Sequence, residues 1–180
     1  MLSALVAACA GNSEKHQYVP AYEQAMASAD FESAVDVGAL PDGPRRFYEF
    51  LDNFSAETVS RETGAVYAED AFLNDTLKTL RGRQAIEAYF TETFTHVESL
   101  EAEVVEVVGA DRSWFFRWRM TLVFKDLNDG QPSTSVGVSH VIFDDAGQVQ
   151  VHQDYWDAAT HFFSMVPIAG KIIEKVKDRL

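Results

Sequence analysis

The stretch WFFRWRMTLVFKDLNDGQPSTSVGVSHVIFDDAGQVQVHQDYW, residues 114–156, decides the fold class. Trp114, Phe116, Trp118, Met120, Leu122 and Phe124 stand at alternate positions, interleaved with Arg117, Arg119 and Thr121 and followed by Lys125. A period of two belongs to a strand whose two faces meet different surroundings. Asn128-Asp129-Gly130 supplies turn chemistry, and Val136 to Phe143 with Gln148 to Trp156 predicts a hairpin around Asp144-Asp145-Ala146-Gly147. Upstream, Ala102, Val104 and Val108 indicate one more strand, turned into the aromatic one by Gly109-Ala110-Asp111-Arg112.

Working outward from these strands, the period changes. Pro44 suits a first helical turn, and Phe47, Phe50, Leu51 and Phe54 follow at helical spacing. Ser55 is placed to cap a second short helix through Thr63, with Gly64 as its end. Ala71 to Leu80 reads as extended, and Gly82 precedes a helix carrying Ile86, Tyr89, Phe90 and Phe94. Helix, helix, strand, helix and then long antiparallel strands give an α+β layer architecture, because a twisted sheet must cover one face with the preceding helices.

Composition bounds the function. A chain of 180 residues, 47% hydrophobic and 12% aromatic, holds one well-buried core. Its net charge of -13 repels phosphate backbones, so no nucleic-acid partner is expected. One cysteine, Cys9, builds neither a disulfide nor a thiolate zinc site, and the five histidines lack zinc-helix spacing. No metal and no cofactor is called for, and no Walker loop, GxGxxG turn or GxSxG elbow is present.

Residues 1–11, MLSALVAACAG, include Val6-Ala7-Ala8-Cys9, which resembles the lipobox of bacterial lipoproteins, whose cysteine carries lipid. This leaves two locations open, the cytoplasm and an envelope-tethered lipoprotein. Residues 12–43 read as a tether with a short helix around Tyr22 to Met26, residues 44–157 as the domain, and residues 158–180 as an amphipathic extension. In that extension Phe162, Phe163, Val166, Ile168, Ile172, Ile173 and Val176 form an apolar side, and Lys171, Lys175, Lys177 and Arg179 a basic one. Two roles stay open for it: padding the subunit, or contact with a membrane surface.

Three stretches carry a family resemblance. Tyr67-Ala68-Glu69-Asp70-Ala71, Asn74-Asp75 and Arg81-Gly82-Arg83-Gln84-Ala85-Ile86 resemble the signature of nuclear transport factor 2-like proteins, and the Asp144–Gly147 turn and Tyr155-Trp156 are similar too. The resemblance implies a cone-shaped α+β domain whose strongly curved, mixed or antiparallel sheet packs on N-terminal helices. Ser139-His140, His152 through Ala159 and Pro167 through Gly170 look closest to a bacterial SnoaL-like group. Among its relatives, ketosteroid isomerases keep a general-base Asp at the end of the first strand, where Asp75 stands. Ser139 falls where they have a hydrogen-bonding Asp, and Phe47, with Tyr48 beside it, where they have a Tyr. An Arg between two acids, as Arg117 or Arg119 would supply, is similar to the epoxide-hydrolase relatives.

A loop of Asp144 to Gly147 pairs Phe143 with Gln148, Val141 with Gln150, Ser139 with His152 and Gly137 with Asp154. That set shares one face with Trp156, and the resemblance turns it inward. Val136, Val138, His140, Ile142, Val149, Val151, Gln153 and Tyr155 take the other face, which is expected to meet a second subunit in a homodimer. A bulge would reverse part of a strand. The candidate catalytic residues are Asp75, His152 and Asp154, with burial expected to raise the Asp75 pKa. Ser139, Trp156, Phe47, Tyr48 and Trp118 are the candidate ligand-binding residues. The expected function is a hydrophobic small-molecule pocket, with metal-free acid–base chemistry of isomerase or hydratase type on an oxygen-bearing substrate. The alternative is a noncatalytic module that binds a ligand or protein.

Overall fold

The structure, a computed structural model, describes residues 18–29 and 35–179. The N-terminal Cys9 segment and part of the tether lie outside these residues. By contacts the chain divides into two compact units, residues 32–158 and a second one comprising the N-terminal segment with residues 159–180.

In the first unit, α2 (Asp42–Asp52) buries Gly43, Pro44, Phe47, Phe50 and Leu51, one side of a helix whose other side is charged. Ser55 caps α3 (Ala56–Val66), its hydroxyl accepting from the Thr58 amide at 3.1 Å. Gly64 does not end α3, contrary to the sequence expectation. It lies within the helix with open space around it, and Val66 two residues on is buried in the core. A glycine inside a helix costs only about 1 kcal/mol, which packing of the following turn outweighs.

β1 (Tyr67–Asn74) and β2 (Thr79–Arg81) form a hairpin, so the predicted single extended run from Ala71 to Leu80 is broken by a turn. α4 (Arg83–His96) follows Gly82, whose φ of 91° favours glycine. β3 (Val97–Ala110), β4 (Ser113–Phe124), β5 (Pro132–Phe143) and β6 (Val149–Trp156) complete a six-stranded sheet of order β2-β1-β6-β5-β4-β3. Only β1 and β6 are parallel, which makes the sheet mixed and the fold α+β.

The β5–β6 register differs from the predicted one. Phe143 pairs with Val149 and Ile142 with Val151, leaving Gln150 as an extra residue. Beyond this bulge Val141 pairs with His152, Ser139 with Asp154 and Gly137 with Trp156. The bulge turns Val149 into the core and exposes Gln150, reversing both faces from expectation, while the parity from His152 to Trp156 survives. Arg117 lies on the outer face, paired with Glu106 at 2.7 Å, and Arg119 stands across from Glu103 and Val136 on that face. Neither arginine stands between the site acids.

The core lies between α2–α4 and the inner sheet face. The fully buried Phe47 ring meets Phe116 at 4.7 Å, His152 at 5.1 Å and Tyr67 at 6.5 Å, all edge-on. Such pairs each add about 0.5–1.5 kcal/mol beyond area burial.

The second unit contains α1 (Val19–Ser28) and α6 (Pro167–Lys177), with α5 (Ala158–His161) at the junction in sequence. Among the described residues no helix is long and apolar enough to cross a membrane.

Candidate functional site

The inner face of β5 and β6 gathers polar side chains that an apolar core must satisfy. His152 is the first. Tyr67, which opens β1 and is fully buried, lies 2.9 Å from its Nδ1 through the phenol oxygen. The Asp154 carboxylate can only accept, so Nε2 carries the proton that faces it, and in the Nε2–H tautomer Nδ1 accepts from the Tyr67 hydroxyl. Nε2 lies 2.8 Å from Asp154 Oδ1 and 3.2 Å from Ser139 Oγ. Burial, and then the Asp154 charge, holds the Tyr67 hydroxyl well above the usual tyrosine pKa, so this donor keeps its proton.

Ser139 completes the arrangement from the neighbouring strand. Its hydroxyl donates to Asp154 Oδ1 and accepts from the Trp118 indole N–H at 3.0 Å. The indole has room because Gly137 faces it across β4 and β5. A Cβ at Gly137 would stand 2.4 Å from the Trp118 ring. Donors from Ser139 and His152 thus converge on Oδ1, while Oδ2 accepts no hydrogen bond from a described residue. The Asp154 side chain is 15% exposed, against 6% for His152, so the carboxylate is the more solvent-exposed of this pair.

Asp75 occupies the turn after β1 rather than a bare apolar cavity. Its Oδ1 accepts from the Leu77 amide at 3.0 Å and the Lys78 amide at 2.7 Å, and the Tyr89 hydroxyl donates to Oδ2. The Asp75 carbonyl accepts from the Trp156 indole at 2.7 Å. Between Asp75 and Leu77, Thr76 holds φ at 73°, an unfavourable region for a β-branched residue. Asn74 Oδ1 supports it by accepting from the Thr76 amide at 3.1 Å and from Gln153 at 2.9 Å.

Tyr89 joins the two groups. Burial raises its pKa first, then its hydrogen bond to Asp75 and the Asp75 charge, and after these the charge of Asp154. One hydroxyl therefore lies within electrostatic reach of both carboxylates. The structure brings together Asp154, His152 and Ser139 by direct contact, and Asp75 with Trp156 and Tyr89 by others. Phe47 and Trp118 belong to the buried wall behind this cluster. Tyr48 does not join it; burial first, and then the nearby Asp52 and Glu103 charges, raise its pKa.

Tyr67 and Tyr89 were not singled out from sequence. A tyrosine, where phenylalanine would pack equally well, has to find a partner for its hydroxyl, and that was the available signal.

Residues 44–152 match the family described as SnoaL-like domain. The chain belongs to that family. Solved structures of similar fold include an epoxide hydrolase of Mycobacterium tuberculosis described as LEH-like, 15% identical, covering 73% of this chain and 92% of its own at a TM-score of 0.53. A protein of ketosteroid isomerase-like fold from Catenulispora acidiphila, in complex with trimethylamine, is 13% identical, covering 73% of this chain and 98% of its own at a TM-score of 0.59. A nuclear transport factor 2-like protein from Exiguobacterium is 13% identical, covering 64% and 98% at a TM-score of 0.54. At these identities the likeness establishes the fold, and the SnoaL-like chain here is a nuclear transport factor 2-like α+β protein. No curated protein matches the sequence.

Proposed function

We propose that this SnoaL-like chain is a metal-free acid–base enzyme of hydratase or hydrolase type, acting on a hydrophobic, oxygen-bearing small molecule. The observation that carries the reading is the direction of the hydrogen bonds. Tyr67, His152, Ser139 and Trp118 all donate inward, Trp156 and Tyr89 donate to Asp75, and the convergent site leaves Asp154 Oδ2 as an open acceptor. With its donors engaged, the cluster has no ready stabiliser for an enolate oxygen, which an isomerase requires. A bound water brings its own protons. Asp154 Oδ2 accepts one as the water oxygen bonds to an epoxide carbon; the C–O bond there breaks, its electron pair stays on the former ring oxygen, and that oxygen takes a proton from a second water, while Oδ1 stays held by Ser139 and His152. Trp156, half-buried beside Asp75, offers an apolar wall for the substrate body.

The test is turnover of a panel of aliphatic and aryl-substituted epoxides. Asp154→Asn is expected to lower the rate about 10²–10⁴-fold with folding retained. Equal rates for variant and wild type would overturn the proposal.

A second reading, noncatalytic binding, is favoured by the aromatic filling beneath the sheet, where Phe47, Phe50, Tyr67, Phe116 and Trp118 are all buried. A site rich in acceptors at the edge of such a core also suits a small ammonium group, and one structural neighbour holds trimethylamine. Binding of trimethylammonium compounds that depends on Asp154, with no turnover of any panel member, would favour it. The proposal includes a homodimer through the outer sheet face, and leaves location as either cytoplasmic or lipid-tethered through Cys9.

A further inference from the structure

The C-terminal helix α6 carries a surface that the site does not use. Ile168, Ile172 and Val176 follow one another a helical turn apart, with exposures of 76%, 59% and 54%. Phe163, in the short 3₁₀ turn before the helix, is exposed by 41%. An apolar ridge of this kind on a helix of eleven residues is unusual, because the same residues would normally face a core.

The opposite side of α6 is the one its own unit holds. Gly170 packs so closely on the preceding turn that a Cβ there would lie 2.1 Å from the Ser164 carbonyl oxygen. Lys177 on that side bonds to Thr160. The helix is therefore fixed by its Gly170 and Lys177 side, which leaves the isoleucine ridge turned away from these contacts.

Charge borders the ridge with a definite sign. Lys171 and Lys175 each lie three residues after a ridge member, hence directly alongside it, Arg179 follows just past the helix end, and all three are exposed. Glu174 and Asp178 lie on the far side of these cations from the ridge. Residues 160–180 hold four basic residues and two acidic ones, in a chain whose net charge is -13. Positive charge is thus concentrated beside the exposed apolar side chains and is outweighed in the chain as a whole.

We propose that this face of α6 docks on an anionic lipid surface, with Ile168, Ile172, Val176 and Phe163 entering the headgroup boundary and Lys171, Lys175 and Arg179 meeting lipid phosphates. The chemistry matches both halves of the surface. Apolar side chains gain from leaving water at the acyl boundary, and lysine and arginine stems reach past them to the headgroups. Each such cation near an anionic leaflet strengthens binding severalfold. The inference is independent of the acid–base reading and of any acyl chain on Cys9.

The test is flotation of the full 180-residue chain, with Cys9 unmodified, on two kinds of vesicle. One is phosphatidylcholine alone and the other phosphatidylcholine mixed equally with phosphatidylglycerol. Binding is expected on the anionic vesicles only, weakening as salt rises. Ile172→Asp and the double variant Lys171→Glu, Lys175→Glu should each lower partitioning at least about tenfold. Circular dichroism is expected to be unchanged, since all three positions are exposed. Absence of binding to anionic vesicles would overturn the proposal, as would equal binding by either variant. A sedimentation shift with Ile172→Asp and no change in flotation would assign the ridge to a second copy of the chain instead.

Discussion

At the scale of single residues, the arrangement turns on two tyrosines, Tyr67, which entered the sequence reading only as part of the family signature, and Tyr89, which helical patterning read as apolar. Tyr67→Phe removes the donor to His152 Nδ1 and leaves a buried nitrogen unpaired, so a loss of about 1–3 kcal/mol in urea unfolding is expected. Nitrogen NMR of the imidazole should report the Nε2–H tautomer in the wild type and a changed mixture in the variant. Asp75→Asn should behave differently from Asp154→Asn. Asp75 is held by two turn amides and Tyr89, so its amide replacement is expected to cost about 1–2 kcal/mol of stability. A destabilisation by Asp154→Asn larger than that of Asp75→Asn would contradict the assignment of Asp75 as the anchor and Asp154 as the open base. Alkaline titration offers a further check. Tyr67 and Tyr89 both have pKa values raised above the ordinary 10.0, so the folded state keeps protons that an unfolded tyrosine loses. Their contribution to stability is fully present below about pH 10 and is lost as pH rises through the folded values. Tyrosinate absorbance should show these two residues titrating only with unfolding, at higher pH than the exposed tyrosines.

At the scale of elements, β5 and β6 decide which side chains reach the site. Gly137 is the position where a close approach demands glycine, because the Trp118 ring fills the place of its Cβ. Gly137→Ala is expected to destabilise the protein by about 1–3 kcal/mol by overpacking, with a shift in Trp118 fluorescence as the indole leaves Ser139. An unchanged unfolding midpoint would argue that the strand moves freely enough to absorb a methyl group. The alternation from Trp114 to Phe124 was clear in sequence, since one face of β4 is apolar throughout while Arg117, Arg119 and Thr121 interrupt the other. The β5–β6 register was not, because a bulge at Gln150 adds a residue without any signature in the amino-acid order. His152, Asp154 and Trp156 kept their predicted face only because the bulge lies on the turn side of them.

At the scale of the whole molecule, the outer sheet face bears on assembly. Phe115 and Tyr155 are 41% and 57% exposed there, and Val136, Val138, Ile142 and Val151 lie around them half-buried. His140 stacks on Phe115 with ring centres 4.4 Å apart and meets Ser113 through Nε2 at 2.9 Å, so the one histidine of this face is already engaged. The apolar part of this face, on the β5–β6 side away from the Arg117–Glu106 pair, is expected to be covered by a second copy. Sedimentation velocity should give a dimer at micromolar concentration, and Val138→Glu, in the middle of the face, should return a monomer of unchanged circular dichroism. A stable wild-type monomer would remove the dimer from the proposal.

The sequence by itself determined the α+β class, the long strands and the helices that cover them, because periodicity is a local property written along the chain. The pairing of the last hairpin put His152, Asp154 and Ser139 on one face, while Asp75 was placed at the end of the first strand by the family resemblance. Tertiary structure alone decided which atoms meet. Tyr67 and His152 are 85 positions apart, and Asp75 and Trp156 are 81 apart, so neither bond leaves a trace in any local window. Tyr89, counted along its helix as one more apolar residue, reaches Asp75 only when α4 packs against β1. The need for a buried hydroxyl to find a partner can be read from residue type, but which partner it finds is set by packing in three dimensions.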